Sequence, residues 1–147
     1  MAGYHGSKAV FTIEDAGGTA RDISAYLDST DLQRTFETAD TTGMGGVTAK
    51  TFVVGPYDSK VPIKGTWDDA ATTGSETVLG GLADAGGVKT AGTLPQCVLS
   101  PAGTASGRKK YTFNAILQSY NEASPNNGKV NFSGTLQISG AVTPGTN

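Results

Sequence analysis

GKVNFSGTLQISGAVT, residues 129–144, puts Val130, Phe132, Gly134, Leu136 and Ile138 on every second position, with Asn131, Ser133, Thr135, Gln137 and Ser139 between them. Successive side chains of a strand point to opposite faces of a sheet, so this alternation predicts a strand with one dry and one wet face. The wet face offers no good nucleophile, general base or metal ligand. Just upstream, Lys110–Tyr120 alternates in the same way, with Tyr111, Phe113, Ala115 and Leu117 against Thr112, Asn114, Ile116 and Gln118. Between the two runs lies SPNNG, residues 124–128, whose Pro, Asn and Gly favour chain reversal. The pair is therefore expected to form an antiparallel hairpin.

The same reading extends outward. Ala9–Glu14 is an expected strand, and Asp15-Ala16-Gly17-Gly18 an expected turn. Thr30 to Thr38 alternates Leu32, Arg34 and Phe36 against Asp31, Gln33, Thr35 and Glu37, which makes one face polar and acidic. TADTTGMGGVTAK, residues 38–50, contains three glycines and four threonines and reads as a long hairpin loop. A structureless stretch of that length in a compact domain usually serves a function. Thr51–Val54 and Lys60–Trp67 are expected strands, separated by a turn at Gly55-Pro56-Tyr57-Asp58. Thr73 and Glu76 have capping-box spacing, Val78/Leu82 and Leu79/Ala83 form an apolar stripe, and Gly86-Gly87 supplies a stop. These predict one helix over 73–85, weakened by Gly80 and Gly81 at about 1 kcal/mol each. Thr93–Leu99 is a further strand, 100–107 a loop, and GAVTPGTN at 140–147 a polar, extended tail.

Together these predict a mainly β chain: a sandwich or partly closed barrel of seven or eight strands with one flanking helix. The expected core includes Phe11, Ile13, Trp67, Leu82, Tyr111, Phe113, Phe132 and Leu136. A length of 147 residues suits one domain. Hydrophobic residues at 37% support a globular fold, and 21 glycines, about twice the usual share, favour turn-rich β structure. The net charge of −2 argues against a nucleic-acid-gripping protein, which needs clustered Lys and Arg. The acidic bias sits in residues 1–50, with seven acidic side chains against four basic ones. No run approaches the ~20 apolar residues of a membrane-spanning helix. The N-terminal stretch lacks an apolar core of signal-peptide length, so Sec export is not expected.

Catalytic constellations fail in turn. His5 is the sole histidine and lies in an expected flexible arm, 1–8, where it cannot serve as a well-placed base. The lone Cys97 excludes an internal disulfide or a cysteine zinc site, and reads as a small core residue. Asp68-Asp69 falls between a strand and the helix, where carboxylates serve turns and helix starts. GLADAGGVKT has two glycines at P-loop spacing, but Gly87 stands where lysine must be. Arg108-Lys109-Lys110 reads as a solvated strand start, and the Asn131-Phe132-Ser133 sequon lies in a predicted strand. No catalytic residue, metal site or cofactor is expected. The remaining features are hairpins, a long loop and loose ends, as suit an assembly subunit with open strand edges.

DISAYLDSTDLQRTFETADTT (22–42), KTFVVGPYDSKVPIKGTWDD (50–69), the helix that follows and ILQSYNEASPNNGKVNFSGTLQISGAVTPGT (116–146) carry a further signal. In this order the chain resembles the major tail tube proteins of long-tailed, non-contractile bacteriophages; 88–110 lies outside the resemblance. It implies a single tail-tube domain over 1–147, a structural virion protein and not an enzyme. Six copies would form a ring around a continuous inner β-barrel, and rings would stack into a tube that passes DNA without specific binding. A loop in the position of 38–50 would bridge rings, involving Asp40, Thr41, Thr42, Met44, Val47 and Lys50. The acidic alternation places Asp31, Gln33, Thr35 and Glu37 as the expected lumen residues. Implied partners are further copies, a tape-measure protein, a tail terminator and distal tail proteins, with no membrane partner. The implied location is the virion tail, after synthesis in the host bacterial cytoplasm.

Alternatives in the same structural class are a tail terminator, or a tube subunit of a contractile tail or type VI secretion system. From a different class comes a β-sandwich module binding carbohydrate or another ligand. The dispersal of Trp67 and the tyrosines weighs against that module, which needs aromatics gathered on one exposed face.

Overall fold

The computed structural model describes residues 3–46 and 49–147. Its strands are β1 (Val10–Glu14), β2 (Ala20–Asp22), β3 (Leu27–Thr30), β4 (Gln33–Asp40), β5 (Phe52–Thr66), β6 (Gln96–Ser100), β7 (Lys109–Ala123) and β8 (Asn131–Thr146). They form one antiparallel sheet in the order β2-β1-β6-β7-β8-β5-β3, with β4 also paired to β5. The sheet curls into a half-barrel, so the partly closed barrel is realised.

The opening alternation decides the centre of this sheet. Phe132, Gly134, Leu136 and Ile138 are buried on one face of β8, while Ser133 and Ser139 are exposed. Phe113, Ala115 and Leu117 of β7 are buried on the same side. Val130 precedes the strand and is exposed, so the dry face begins one step later than the sequence suggests.

Curvature has a covalent cause. The outermost strands, β2 and β3, are consecutive in the chain and joined only by residues 23–26, with a short 3-10 turn at Ser24–Tyr26. A link this short spans less than about 20 Å, so the two ends of the sheet must come round towards each other. Ser24 Oγ accepts from the Phe11 amide at 2.8 Å, the Ile23 amide donates to the Phe11 carbonyl at 3.2 Å, and Ile23 is fully buried. On the other side, Gly65 lets β3 cross β5 closely: a β-carbon there would stand 2.0 Å from the Tyr26 carbonyl oxygen. Neither Ile23 nor β2 is visible in the periodicity.

The helical segment packs against the sheet at β7 and completes the core. Glu76–Gly80 winds as a π-helix and Gly81–Asp84 continues as α1. Val78, Leu79 and Leu82 are fully buried. The Thr73–Glu76 capping box is not the start that forms. Ser75 Oγ instead donates to the Thr66 carbonyl at 2.7 Å and accepts from the Asp68 amide at 3.0 Å, and the Glu76 amide donates to the Asp68 carbonyl at 2.8 Å. These bonds pin the start of the helix to the end of β5 and to Asp68 just beyond it.

Four other expectations change. The Gly55-Pro56-Tyr57-Asp58 turn is absent, because β5 runs unbroken from Phe52 to Thr66. The strand expected over Thr30–Thr38 is two strands, β3 and β4, interrupted at residues 31 and 32. The 140–147 tail is strand: β8 continues to Thr146, with Thr143, Pro144, Gly145 and Thr146 opposite Thr112, Tyr111, Lys110 and Lys109. Positive φ at Gly140 (89°) accompanies the bulge that separates this stretch from the rest of β8. Trp67 and Tyr111 are half-buried at the rim, whereas Phe11, Ile13, Leu82, Phe113, Phe132 and Leu136 lie in the core. Both aromatics have the right strand parity but sit where the sheet's cover ends.

Candidate assembly surface

β4 and the first half of β5 leave the half-barrel as a projecting hairpin. From Lys60 onward, β5 pairs with β8 on one side, whereas Phe52 to Ser59 pair with β4 alone. The pairs Gln33↔Lys60, Arg34↔Ser59, Thr35↔Asp58 and Phe36↔Tyr57 run in step until a bulge, after which Thr38↔Val54, Ala39↔Val53 and Asp40↔Phe52 resume. Gly55 and Pro56 together stand opposite Glu37. A bulge tolerates proline because the extra residue leaves the ladder unpaired there.

The inserted residue changes which side chains share a face. Before it, alternation would place Phe52 and Val54 opposite Tyr57. With it, Phe52, Val54, Tyr57 and Phe36 all fall on one face, and Ser59, Val61 and Ile63 extend that face into the core. The Phe36 and Tyr57 rings meet at 5.7 Å between centroids. Even so, Phe36 is 57% exposed, Phe52 56%, Val54 73% and Tyr57 46%. The hydrophobic stripe thus runs past the end of the subunit's own cover.

At the base of this stripe is a cleft of about 530 Å³, lined by Leu32, Arg34, Leu99, Pro101 and Tyr111 among others. The Arg34 guanidinium lies 5.3 Å from the Tyr111 ring centroid and covers the ring's open side.

The other face is polar except at its outer end, where exposed Val53 stands opposite Ala39. Gln33, Thr35 and Glu37 share it, and Asp31 just before β4 accepts from Gln33 Nε2 at 2.9 Å. Register brings them beside Asp58, Lys60 and Gln137, and Gln137 Nε2 donates to Asp58 Oδ1 at 2.5 Å. Lys60 and Lys64 are exposed on the side opposite buried Val61 and Ile63, so cations interleave with the carboxylates. The acidic alternation of β4 alone conceals these lysines. The exposed apolar stripe was also legible only as a break in period two at Gly55-Pro56.

The hairpin closes tightly below its tip. The Thr41 amide donates to the Thr51 carbonyl, the Thr51 amide to Thr42 Oγ1, and the Thr42 amide to Asp40 Oδ1, each at 2.8 Å. The hydroxyl and amide of Thr42 hold the Asp40 carboxyl below its ordinary 3.8. Met44 is wholly exposed and Lys50 is exposed; Val47, expected in the same loop, lies outside the described residues.

The rejected catalytic candidates occupy separate places. His5 Nδ1 accepts from the Ser7 amide at 3.1 Å, capping the 3-10 turn Gly6–Lys8 within the expected arm. Tyr4 in that segment packs under the Arg108 guanidinium, 4.6 Å from its ring centroid. Cys97 is fully buried, and burial followed by the Glu14 charge pushes its thiol far up. Asp68 Oδ1 accepts from the Ala70 amide at 2.8 Å, as a turn residue does. Among the described residues, no three His, Cys, Asp or Glu side chains gather as a metal would require.

No family model matches the chain, and no curated protein does. Solved structures share its fold over nearly its whole length. A chain from the virion of a native gene transfer agent particle is 16% identical, with a TM-score of 0.74 over 97% of this chain and 99% of that one. A chain of the SPP1 tail tube is 10% identical, with a TM-score of 0.70 over 99% and 80%. A chain of an extracellular contractile injection system, from its sheath–tube complex in the extended state, is 14% identical, with a TM-score of 0.66 over 99% and 93%.

Proposed function

We propose that this chain is the building block of a phage-type tail tube, a structural protein whose copies join into stacked rings. The observation that carries the reading is the β4–β5 hairpin, whose apolar face extends the core stripe with no cover from its own subunit. A second copy supplies that cover. Each of the four half-exposed side chains gains about 1 kcal/mol on complete burial, so the contact contributes on the order of 4 kcal/mol per subunit. The full-length likeness to chains of tail and tube assemblies, one of them a gene transfer agent tail with C6 symmetry, supports rings of six.

In such a ring the polar face turns inward, with Asp31, Gln33, Thr35 and Glu37 lining the bore beside Asp58, Lys60 and Lys64. Three carboxylates against two ammonium groups leave this lining weakly negative. Each phosphate neutralised by a protein cation adds binding energy, so a mixed, slightly acidic wall lets duplex DNA pass without holding it. The hairpin end 38–50 reaches the next ring through Asp40, Thr41, Thr42, Met44, Val47 and Lys50, and residues 1–8 and 140–147 contact neighbouring copies. The working partners are other copies, a tape-measure protein, a terminator and distal tail proteins. The place of action is the virion tail, after synthesis in the host cytoplasm.

Electron microscopy of the concentrated pure protein tests this. Long smooth tubes are expected. Single closed rings would favour a terminator, and a persistent monomer at millimolar concentration would overturn the proposal. In tubes, amide exchange over 38–50 slows relative to the monomer; unchanged exchange would remove the inter-ring role.

A further inference from the structure

We propose that Asn127 is a self-modification site, at which the side-chain amide converts to aspartate and isoaspartate through a cyclic imide. Asn127 and Gly128 lie in the β7–β8 connection, 124–130, and every residue of that connection is exposed. Its one backbone–backbone hydrogen bond among the described residues has the Trp67 amide donating to the Val130 carbonyl at 3.1 Å. The Gly128 amide is therefore not engaged by the backbone, and the absent side chain leaves its nitrogen open to the neighbouring carbonyl carbon. Asn114, Asn121 and Asn131 are fixed in strand ladders, and Asn147 donates to the carbonyls of Gly103 and Arg108. Asn127 is the one asparagine followed by glycine.

The chemistry needs only water. The Gly128 nitrogen gives its proton to solvent base and attacks Asn127 Cγ. A C–N bond forms, and the amide nitrogen leaves as ammonia. Water then opens the imide. Breaking the new C–N bond gives aspartate, and breaking the original one gives isoaspartate, with the chain rerouted through Cγ. Nothing is oxidised or reduced.

The product carboxylate arises two residues before Lys129, whose Nζ bonds Asp28 Oδ2 at 3.0 Å and Thr66 Oγ1 at 3.0 Å. This lysine ties the start of β8 to β3 and the end of β5, and the change adds a negative charge two residues away from it. In the tube proposed above the change would repeat in every copy, but the chemistry does not depend on that reading.

Incubating the purified full chain in mildly alkaline and mildly acidic buffer, followed by peptide mapping and isoaspartyl-methyltransferase labelling, tests the site. Label is expected at residue 127, accumulating faster in alkali. Gly128→Val is expected to slow it on the order of tenfold, because a side chain shields the attacking nitrogen; circular dichroism checks that this variant folds. Asn127→Ala should abolish the label. An unchanged Asn127 in alkali, under conditions where a free peptide of residues 124–130 converts, would overturn the proposal, as would label centred on another asparagine.

Discussion

A bulge at Gly55-Pro56 keeps one apolar face running the length of β5, yet the two halves of the strand meet opposite fates. From Lys60 to Thr66 the strand has β8 on one side and β3 or β4 on the other, and Val61 and Ile63 disappear into the core. From Phe52 to Ser59 it has β4 alone, and Phe52, Val54 and Tyr57 remain exposed although they lie on the same apolar side. Alternation therefore reports which face is dry, not who dries it. Where the pattern outlasts the subunit's own cover, the proposed tube supplies the missing layer from a second copy.

The covered half should be the most sensitive to substitution. Gly65→Ala drives a β-carbon into the Tyr26 carbonyl and should cost about 3 kcal/mol or more, read as a lowered midpoint in urea unfolding. A midpoint near that of the parent would mean that β3 does not cross β5 as closely as described. The exposed half should behave oppositely. Phe36→Ser should leave subunit stability within about 0.5 kcal/mol. The same change should raise the critical concentration for assembly about fivefold, which corresponds to about 1 kcal/mol. Equal losses in folding and assembly would erase the contrast between the halves.

Deleting Pro56 removes the extra residue and turns Phe52 and Val54 to the polar side while Tyr57 stays put. A folded, dispersed monomer by light scattering is the expected product; normal tubes would show that these two side chains are not covered on assembly. Ser59 sits at the boundary, buried with no partner for its hydroxyl among the described residues. Ser59→Ala should stabilise the monomer by about 1 kcal/mol, since an unpaired buried hydroxyl is lost, and thermal melting checks the sign.

The smallest effect concerns acid. Asp40 has a depressed carboxyl in the folded hairpin, through the Thr42 hydroxyl and amide. Its contribution is therefore complete above the ordinary 3.8 and is lost as pH falls through the lower folded value. Amide exchange at Thr42 should accelerate in that window, and Asp40→Asn should remove the pH dependence.

Much of the central sheet could be read from residues alone. Phe113, Phe132 and Leu136 have clean period-two neighbours, and local alternation is all that a doubly flanked strand requires. Trp67 and Tyr111 pass the same parity test yet stop at the rim, because parity carries no information about where the covering layer ends. Gly55-Pro56 reads as a turn, since both residues punctuate chains, but a bulge uses the same chemistry without reversing direction. Pro144 and Gly140 conceal the end of β8 for a similar reason. A proline can stand opposite Tyr111 there because this stretch has only β7 beside it and one side of its backbone is unpaired. Of the candidate surface, the polar half of β4 was legible, whereas Lys60 and Lys64 joined it only through strand register.

Residues 23–26 act as a drawstring. They fasten the first and last staves of an unfinished cask, and a tether of fixed reach sets how wide the gap between the staves can grow. Adding glycines to this cord would flatten the wall and broaden any conduit assembled from such staves; trimming it would pinch the bore.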